Sequence, residues 1–583
     1  MRLEEYWGVG PKTRALLVEE LGVDAAIDAI EAGDVRALVD AGVPRGRATR
    51  ILRRATGGSG MDVLATSDAR DVYKELLSVA GSFALTARAA DAIHVLTPLS
   101  DRDAMEARLA DVEAARESWA ALRDDERAAV VEAFDAYDAA DGGEKASVEA
   151  AIALLDAGVV DGDGVFESLA GLDREALADA ARALGALQAG HVESGADDRL
   201  DALREQVAAV ETLEANAASV VEAIRGDGAR GAGGFQDAFV DHVCGETGVD
   251  ATHVREAAPE GARDATDFVN EALRALSRDR RAAVEERERE VRVELQDAVA
   301  DAREDVDRAV AAVDDVAFEL SLARFAAAFD LTSPEFVADA VAVEGARNLT
   351  LAAREAEASV QPVRYALGEH DLGAPPGRER VSVLTGANSG GKTTLLETLC
   401  QVVLLAHMGL PVPADHAAVG RFDSVVFHRR HATFNAGVLE STLRNVVPPL
   451  TAEGRTLMLV DEFEAITEPG SAAELLHGLV TLSVEKAALG TFVTHLADDL
   501  EPLPSTARVD GIFAEGLTPD LELEVDYQPR FGEVGRSTPE FIVSRLVANA
   551  DDRAERAGFE TLAEAVGREV VQRTLADARW TES

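Results

Sequence analysis

Cysteine, lysine, aromatic residues and long apolar runs are all scarce in this 583-residue sequence, and each shortage excludes something. Two cysteines, Cys244 and Cys400, cannot build a disulfide framework, and a reducing cytoplasm fits best. No stretch approaches the roughly 18 unbroken apolar residues that a membrane span needs, so no membrane partner is expected. The opening Met1-Arg2-Leu3-Glu4-Glu5 lacks the basic-then-apolar order of a signal peptide. Lysine occurs only as Lys12, Lys74, Lys145, Lys392 and Lys486, among 57 basic residues facing 107 acidic ones. The resulting formal charge of −50 is spread along the chain. That pattern, with Arg in place of Lys, suits a halophilic protein in concentrated salt, where the Debye length shrinks to about 3 Å at 1 M. Repulsion of nucleic acid and attraction of a basic partner are the alternatives. Net charge therefore does not exclude DNA, and local charge is the better guide.

What is present is enough to fold. Hydrophobic residues make up 47%, and the length allows about three or four domains. Residues 1–56 form a compact unit closed by Thr56-Gly57-Gly58-Ser59-Gly60. From 61 to 340, Ala, Leu, Glu and Arg dominate, with apolar residues three and four apart, the pattern of amphipathic helices in an all-α lever region. A glycine-rich break, Gly226–Gly234, divides it. No proline occurs between Pro259 and Pro334, and Val284, Val291, Leu295, Val299, Val306, Val310 and Val313 recur at coiled-coil-like spacing. This predicts one or two long helices, an arm near 262–315. From 341 to 546 short apolar runs (Val381–Thr385, Ser424–Phe427, Thr456–Val460, Thr491–Thr494) alternate with helical stretches, which predicts an α/β domain on a largely parallel sheet. Residues 547–583 read as two short helices.

The chemistry concentrates after the first of those strands. Gly386-Ala387-Asn388-Ser389-Gly390-Gly391-Lys392-Thr393-Thr394 fits G-x-x-x-x-G-K-[ST] between a strand and a helix. Its glycines let the backbone wrap phosphate, and loop N–H groups at a helix N-terminus form an anion nest. Lys392 is placed to hold the β- and γ-phosphates of ATP, and the Thr393 hydroxyl to ligate Mg²⁺. Leu457-Met458-Leu459-Val460-Asp461-Glu462 is a buried strand ending in two carboxylates, Asp461 for the metal and Glu462 for activating water. A third strand ends in His495, within reach of a γ-phosphate. Each motif alone occurs by chance; in order, each at a strand end, they indicate a P-loop nucleotide site and, less strictly, hydrolysis.

These residues resemble the ATPase domain of the MutS family of DNA mismatch-repair and recombination proteins, an ABC-type P-loop ATPase. The resemblance lies in Asn388 and the paired glycines of the loop, in Glu344–Leu349 and Val360–Val363 upstream, and in Gly409-Leu-Pro-Val-Pro-Ala414 and Thr494-His495 downstream. Leu320–Phe325 and Gly535–Val547 extend it. It implies that Ser441, in Ser441-Thr442-Leu443, completes the ATP site of the opposite subunit, so that a homodimer is the hydrolytic form. The sequence departs from the family at Ala387, where proline is usual, and at Phe463-Glu464-Ala465-Ile466-Thr467, which lacks two glycines. No Phe-x-Glu occurs in the N-terminal region, and the C-terminus lacks His-Gly-x-Gly, so neither direct mismatch reading nor a nuclease is expected.

The N-terminal unit holds two turn-then-helix segments, Trp7-Gly8-Val9-Gly10-Pro11-Lys12-Thr13-Arg14 and Ala41-Gly42-Val43-Pro44-Arg45-Gly46-Arg47. Each resembles a helix-hairpin-helix element, which binds the DNA backbone without reading sequence. Gly8, Gly10, Lys12, Arg14, Gly42, Arg45, Gly46 and Arg47 are the expected DNA contacts. Residues 1–56 carry nine basic and nine acidic side chains, and so are neutral within a chain of −50. The bland alternative is a structural mini-domain. The function expected is an ATP-dependent DNA-binding ATPase of mismatch repair or recombination control. Its alternatives are an ATP-binding DNA clamp with negligible turnover and an ABC-type chromosome-maintenance ATPase, though the last lacks its Leu-Ser-Gly-Gly signature.

Overall fold

The computed structural model describes the chain except residues 1–2, 59, 161–163, 189, 227–230, 355–359, 374–377, 387–390, 431–435, 463–468, 518–522, 536–538, 551, 568–570, 573 and 575–583. The chain divides into two units. One holds Met1–Arg127, Asp163–Val165 and Asp314–Ser583, the other Ala128–Gly162 and Phe166–Val313.

The first unit is built on a six-stranded sheet. Its order is Leu523–Phe531, Ala507–Leu517, Val381–Gly386, Leu489–Val493, Thr456–Asp461 and Ser424–His428. Five strands run parallel, and Leu523–Phe531 pairs antiparallel at one edge. The strands Val381–Gly386, Thr456–Asp461 and Leu489–Val493 are buried along their whole length, as a parallel sheet covered on both faces requires. The side-chain period of two separates the faces. Leu384, Leu457 and Leu459 join one core with the helix Lys392–His407. Val383, Met458 and Val460 join another with Val446, Leu450, Leu476 and Val480. Each such side chain fully buried contributes roughly 1.5–3 kcal/mol of transfer free energy.

Lys392–His407 has 13 of its 16 residues buried, because it is covered on its far side as well. The covering comes from residues 61–127. Val72, Tyr73, Leu76, Leu77, Leu109 and Val112 share a core with Leu399, Val403, Leu322 and Phe325. The expected helical region 61–340 is thus divided, its first 67 residues belonging to the sheet's own core. The segment before the helix Ser67–Gly81 also lies along the edge strand. Leu64 bridges Val425, and Thr66 Oγ1 donates to the Phe427 carbonyl at 2.6 Å, which blunts an otherwise open sheet edge. Thr66 then caps the helix through Ala69 N–H.

Two features of this unit differ from the expectation. A second, four-stranded mixed sheet of Glu335–Val337, His416–Gly420, Ala340–Ala346 and Val363–Gly368 precedes and interrupts the first. The boundary expected at 546 falls inside a helix, Pro539–Asn549, which packs on Arg553–Val566 through Val543, Val547 and Ala563.

The N-terminal residues form four helices, Pro11–Glu20, Val23–Glu31, Val35–Asp40 and Arg45–Gly57, around Leu17, Ile30, Leu38, Ile51 and Leu52. Gly8 and Gly42 precede the first and last at φ +84° and +87°, where a side chain would be strained.

Among its described residues the second unit is helical apart from the antiparallel pair Leu187–Gln188 and His191–Val192. Its longest helix is Ala265–Asp301, capped by Asp264 on Thr266 and Asp267 N–H. Arg303–Ala328 follows and runs on into the first unit. The valine stripe serves packing inside the unit: Val284, Val291 and Leu295 meet Val192 and Leu200. Arg287 pairs with Asp197 at 2.8 Å across the same contact. Among the described residues no helix is long and apolar enough to cross a membrane.

Candidate functional site

Parallel pairing brings three strand ends to one edge. Val493 stands opposite Leu384 on one side and Asp461 on the other, so Gly386, Asp461 and Thr494-His495 emerge together. Ligand sites in such sheets form at this carboxyl edge.

The chain leaves the first strand at Gly386 (φ +136°), where a Cβ would collide with the Ile512 carbonyl. It enters the helix at Gly391 (φ +72°), where a Cβ would lie 2.7 Å from Tyr527 Cδ1. Only glycine meets both the left-handed backbone and the contact. Lys392 is buried, and its ammonium donates to the Gly386 carbonyl at 3.0 Å. Thr393 Oγ1 donates to Asp461 Oδ2 at 2.7 Å. Asp461 is 3% exposed, and its Oδ1 makes no hydrogen bond among the described residues. Burial pushes its carboxyl above the ordinary range, Thr393 and the Arg430 backbone N–H acting against it. An orphaned, buried carboxylate oxygen beside a hydroxyl is a donor set for a hard cation such as Mg²⁺.

Glu462 follows in a left-handed conformation, φ +40°, with its N–H on the Val493 carbonyl at 3.1 Å. Its Oε1 meets His495 Nε2 at 3.1 Å and its Oε2 meets Arg430 Nη1 at 2.5 Å. The His495 hydrogen bond, and then the charges of His495, Arg430 and Lys392, hold this carboxyl below its usual range against the opposing effect of burial. The two adjacent acids are thereby pushed in opposite directions.

A pocket of about 470 Å³ opens over this edge. It is lined by Gly391, Lys392, Thr393, Thr394 and Glu462, and by the apolar surfaces of Leu351, Val360, Val363 and Tyr527, the last of which packs against Gly391. Of the residues expected from sequence, Gly386, Gly391, Lys392, Thr393, Thr394, Asp461, Glu462 and His495 are brought together. Ala387, Asn388, Ser389 and Gly390 lie outside the described residues, as do Phe463–Thr467. Ser441 is exposed on the helix Ala436–Thr451 and is not a lining residue.

The N-terminal set forms its own surface. Arg14 pairs with Glu4 at 2.7 Å, and Arg47 Nη2 donates to the Gly8 carbonyl at 3.3 Å, joining the two turns. Arg45 is ion-paired with Asp91, and Arg53 donates to the His94 carbonyl at 2.8 Å. Part of the arginine cluster therefore fastens this bundle to the helix Ala87–Val95, a use the sequence did not reveal.

Sequence reasoning also missed Arg430 and Tyr527. The first had a signal, since His428-Arg429-Arg430 puts cations at the end of an expected strand. Tyr527 had none, its strand pairing being non-local.

Residues 382–498 match MutS domain V. The MutS domain V match takes in Gly386, Lys392, Thr393, Ser441, Asp461, Glu462 and His495, and leaves Tyr527 outside. The chain is 45% identical over 220 residues to the "DNA-binding protein MutS2" of Pyrococcus furiosus, covering 37% of this chain and 38% of that one. It is 32% identical over 175 residues to the "Endonuclease MutS2" of Thermus thermophilus, covering 29% and 23%. To the "DNA mismatch repair protein MutS" of Natronomonas pharaonis it is 30% identical over 278 residues, covering 45% and 30%. These likenesses are to proteins of the MutS family, and the matched stretches span less than two-fifths of each relative.

Proposed function

We propose that this chain is a MutS-like, DNA-binding ATPase that binds MgATP in the pocket over Lys392–Thr394 and hydrolyses it with Glu462. The observation that carries the reading is the Thr393–Asp461 pair, whose Asp461 Oδ1 has no partner among the described residues, with the buried Lys392 ammonium acting on the same carboxyl. Lys392 and the 386–391 loop would hold phosphate, Thr393 and Asp461 would hold Mg²⁺, and the wall of Leu351, Val360, Val363 and Tyr527 suits a nucleoside base. The bound metal would supply charge neutralisation on phosphate oxygens.

Glu462 takes the proton of a water whose oxygen bonds to the γ-phosphorus while the bond from that phosphorus to the β-phosphate oxygen breaks and ADP leaves. His495 orients its carboxylate, and the proton leaves as the acid returns to solvent equilibrium. The exposure of Ser441, which does not line the pocket, suits a role in a second subunit and hence a homodimer. The two glycine turns joined by Arg47, with Lys12 and Arg14 beside them, suit backbone contacts to DNA.

A second reading, a DNA clamp with negligible turnover, is favoured by the loss of two glycines in Phe463–Thr467. Turnover in molar KCl, with and without branched or mismatched DNA, separates the two. DNA-stimulated hydrolysis that Glu462→Gln abolishes supports the enzyme, and equal turnover in both proteins leaves the clamp. Reversing charge in the Lys12→Glu, Arg47→Glu double variant is expected to weaken DNA binding. Unchanged affinity would remove the N-terminal surface from the proposal.

A further inference from the structure

The strand Ser424–His428 lies beside Thr456–Asp461 with His428 opposite Val460. Two residues further on each chain are Arg430 and Glu462, so the register itself sets a cation beside the second carboxylate. Arg430 Nη1 reaches Glu462 Oε2 at 2.5 Å, while its backbone N–H acts on Asp461. The Glu462 side chain is 12% exposed and that of Arg430 56%, so the pair forms the solvent side of the site.

Glu462 needs holding. Its backbone is in a conformation that non-glycine residues adopt only when their surroundings impose it, and it stands next to a second carboxylate. His495 fixes one carboxylate oxygen and Arg430 the other. Two donors, one per oxygen, define the carboxylate plane, yet each oxygen keeps a further lone pair for water. Arg430 also offsets the repulsion between the adjacent Glu462 and Asp461 carboxylates.

Resting on the hydrolytic reading above, we propose that Arg430 is a positioning residue, holding the Glu462 carboxylate in the plane from which it accepts the proton of water. Among the described residues its side chain meets Glu462 and does not line the pocket, so the effect of changing that side chain falls on the chemical step and not on binding. A cation is what the position needs, and lysine supplies one of nearly the same reach.

Steady-state turnover and the Kd of a fluorescent, non-hydrolysable ATP analogue test this in the full chain. Arg430→Gln is expected to lower kcat about 10- to 100-fold, as loss of alignment does, with the analogue's Kd unchanged within about twofold. Arg430→Lys is expected to recover most of kcat. An unchanged kcat in Arg430→Gln overturns the proposal. So does a loss of analogue affinity parallel to the loss of kcat, or a failure of lysine to restore turnover. Wild-type turnover that Glu462→Gln leaves intact would instead refute hydrolysis by Glu462, the reading on which this one stands.

Discussion

Thr393 donates a 2.7 Å hydrogen bond to Asp461, from the first turn of a helix to the end of a strand one place removed from the strand that feeds that helix. The contact uses one carboxylate oxygen and leaves the other buried without a partner among the described residues. If that asymmetry marks a Mg²⁺ site, Thr393→Val should raise the Mg²⁺ concentration needed for half-maximal nucleotide binding about 10-fold. Titrating Mg²⁺ at fixed nucleotide measures this. Equal weakening with and without magnesium would assign Thr393 a structural role only.

Gly391 is committed twice, by its positive φ and by Tyr527 over its Cα. Gly391→Ala is expected to weaken nucleotide binding about 10-fold or more, because the left-handed conformation alone costs an L-residue about 1–2 kcal/mol. Pairing it with Tyr527→Ala removes the steric contact and leaves the backbone cost, so recovery should be incomplete. Full recovery in the double variant would show that the conformational requirement is absent.

The six-stranded sheet holds a buried ion pair. Arg508 Nε lies 3.0 Å from both oxygens of Asp510, which is fully buried and also accepts from the Tyr365 hydroxyl at 2.9 Å. Arg508 is sandwiched near the rings of Tyr365 and Phe531, each 5.5 Å away. Removing one partner strands the other, so Arg508→Met should destabilise the protein by about 3–5 kcal/mol in denaturant titration. A loss below about 1 kcal/mol would mean that Asp510 is neutral or hydrated.

Glu319 is half-buried on the helix Arg303–Ala328, and burial, then Asp111 from the helix Arg102–Ala121 and Asp315 one turn earlier, raise its carboxyl to about 7. The folded state therefore holds its proton more tightly than the unfolded chain. Stability from this group is complete below the unfolded value near 4.5 and is lost as pH rises through about 7. Glu319→Gln should then be stabilising by about 1–2 kcal/mol at pH 8, after discounting for solvent screening, and neutral at pH 4.5. Thermal melts across that range decide it. A uniform gain at all pH values would point to packing.

Ser441 can be placed by mixing. Ser441→Ala and Glu462→Gln subunits should each lack turnover alone, yet together regain about a quarter of wild-type activity if the serine acts on its partner's site, by random pairing in a two-fold dimer. No recovery would place Ser441 in its own subunit's site, or exclude it.

Much of the candidate site was legible because its signals are local. A glycine-rich loop between an apolar strand and a helix, and carboxylates following four apolar residues, are short-range patterns that backbone sterics and strand burial enforce. The expected strands 381–385, 424–427 and 456–460 appear as Val381–Gly386, Ser424–His428 and Thr456–Asp461, and the long helices within 262–315 appear as Ala265–Asp301 and Arg303–Ala328. Charge composition, by contrast, carried no information about where ions pair.

Other features depended on which distant segments met. Residues 61–127 have the same helical texture as those that follow, yet their apolar face closes the core over Lys392–His407, because that helix is apolar on both sides. The strands Ala340–Ala346 and Val363–Gly368 pair with each other across a helix, and no local pattern announces that partner. Tyr527 reaches Gly391 only because its strand adds antiparallel to the sheet edge, and Arg430 reaches Glu462 only because His428 stands opposite Val460. The sequence by itself determined the glycines between the first strand and its helix, the two carboxylates at a strand end and the alternation of strand and helix, since each is settled by neighbours within a few residues. The tertiary structure alone decided what surrounds Glu462, since that depends on strand register, a property of pairs of segments and not of either one.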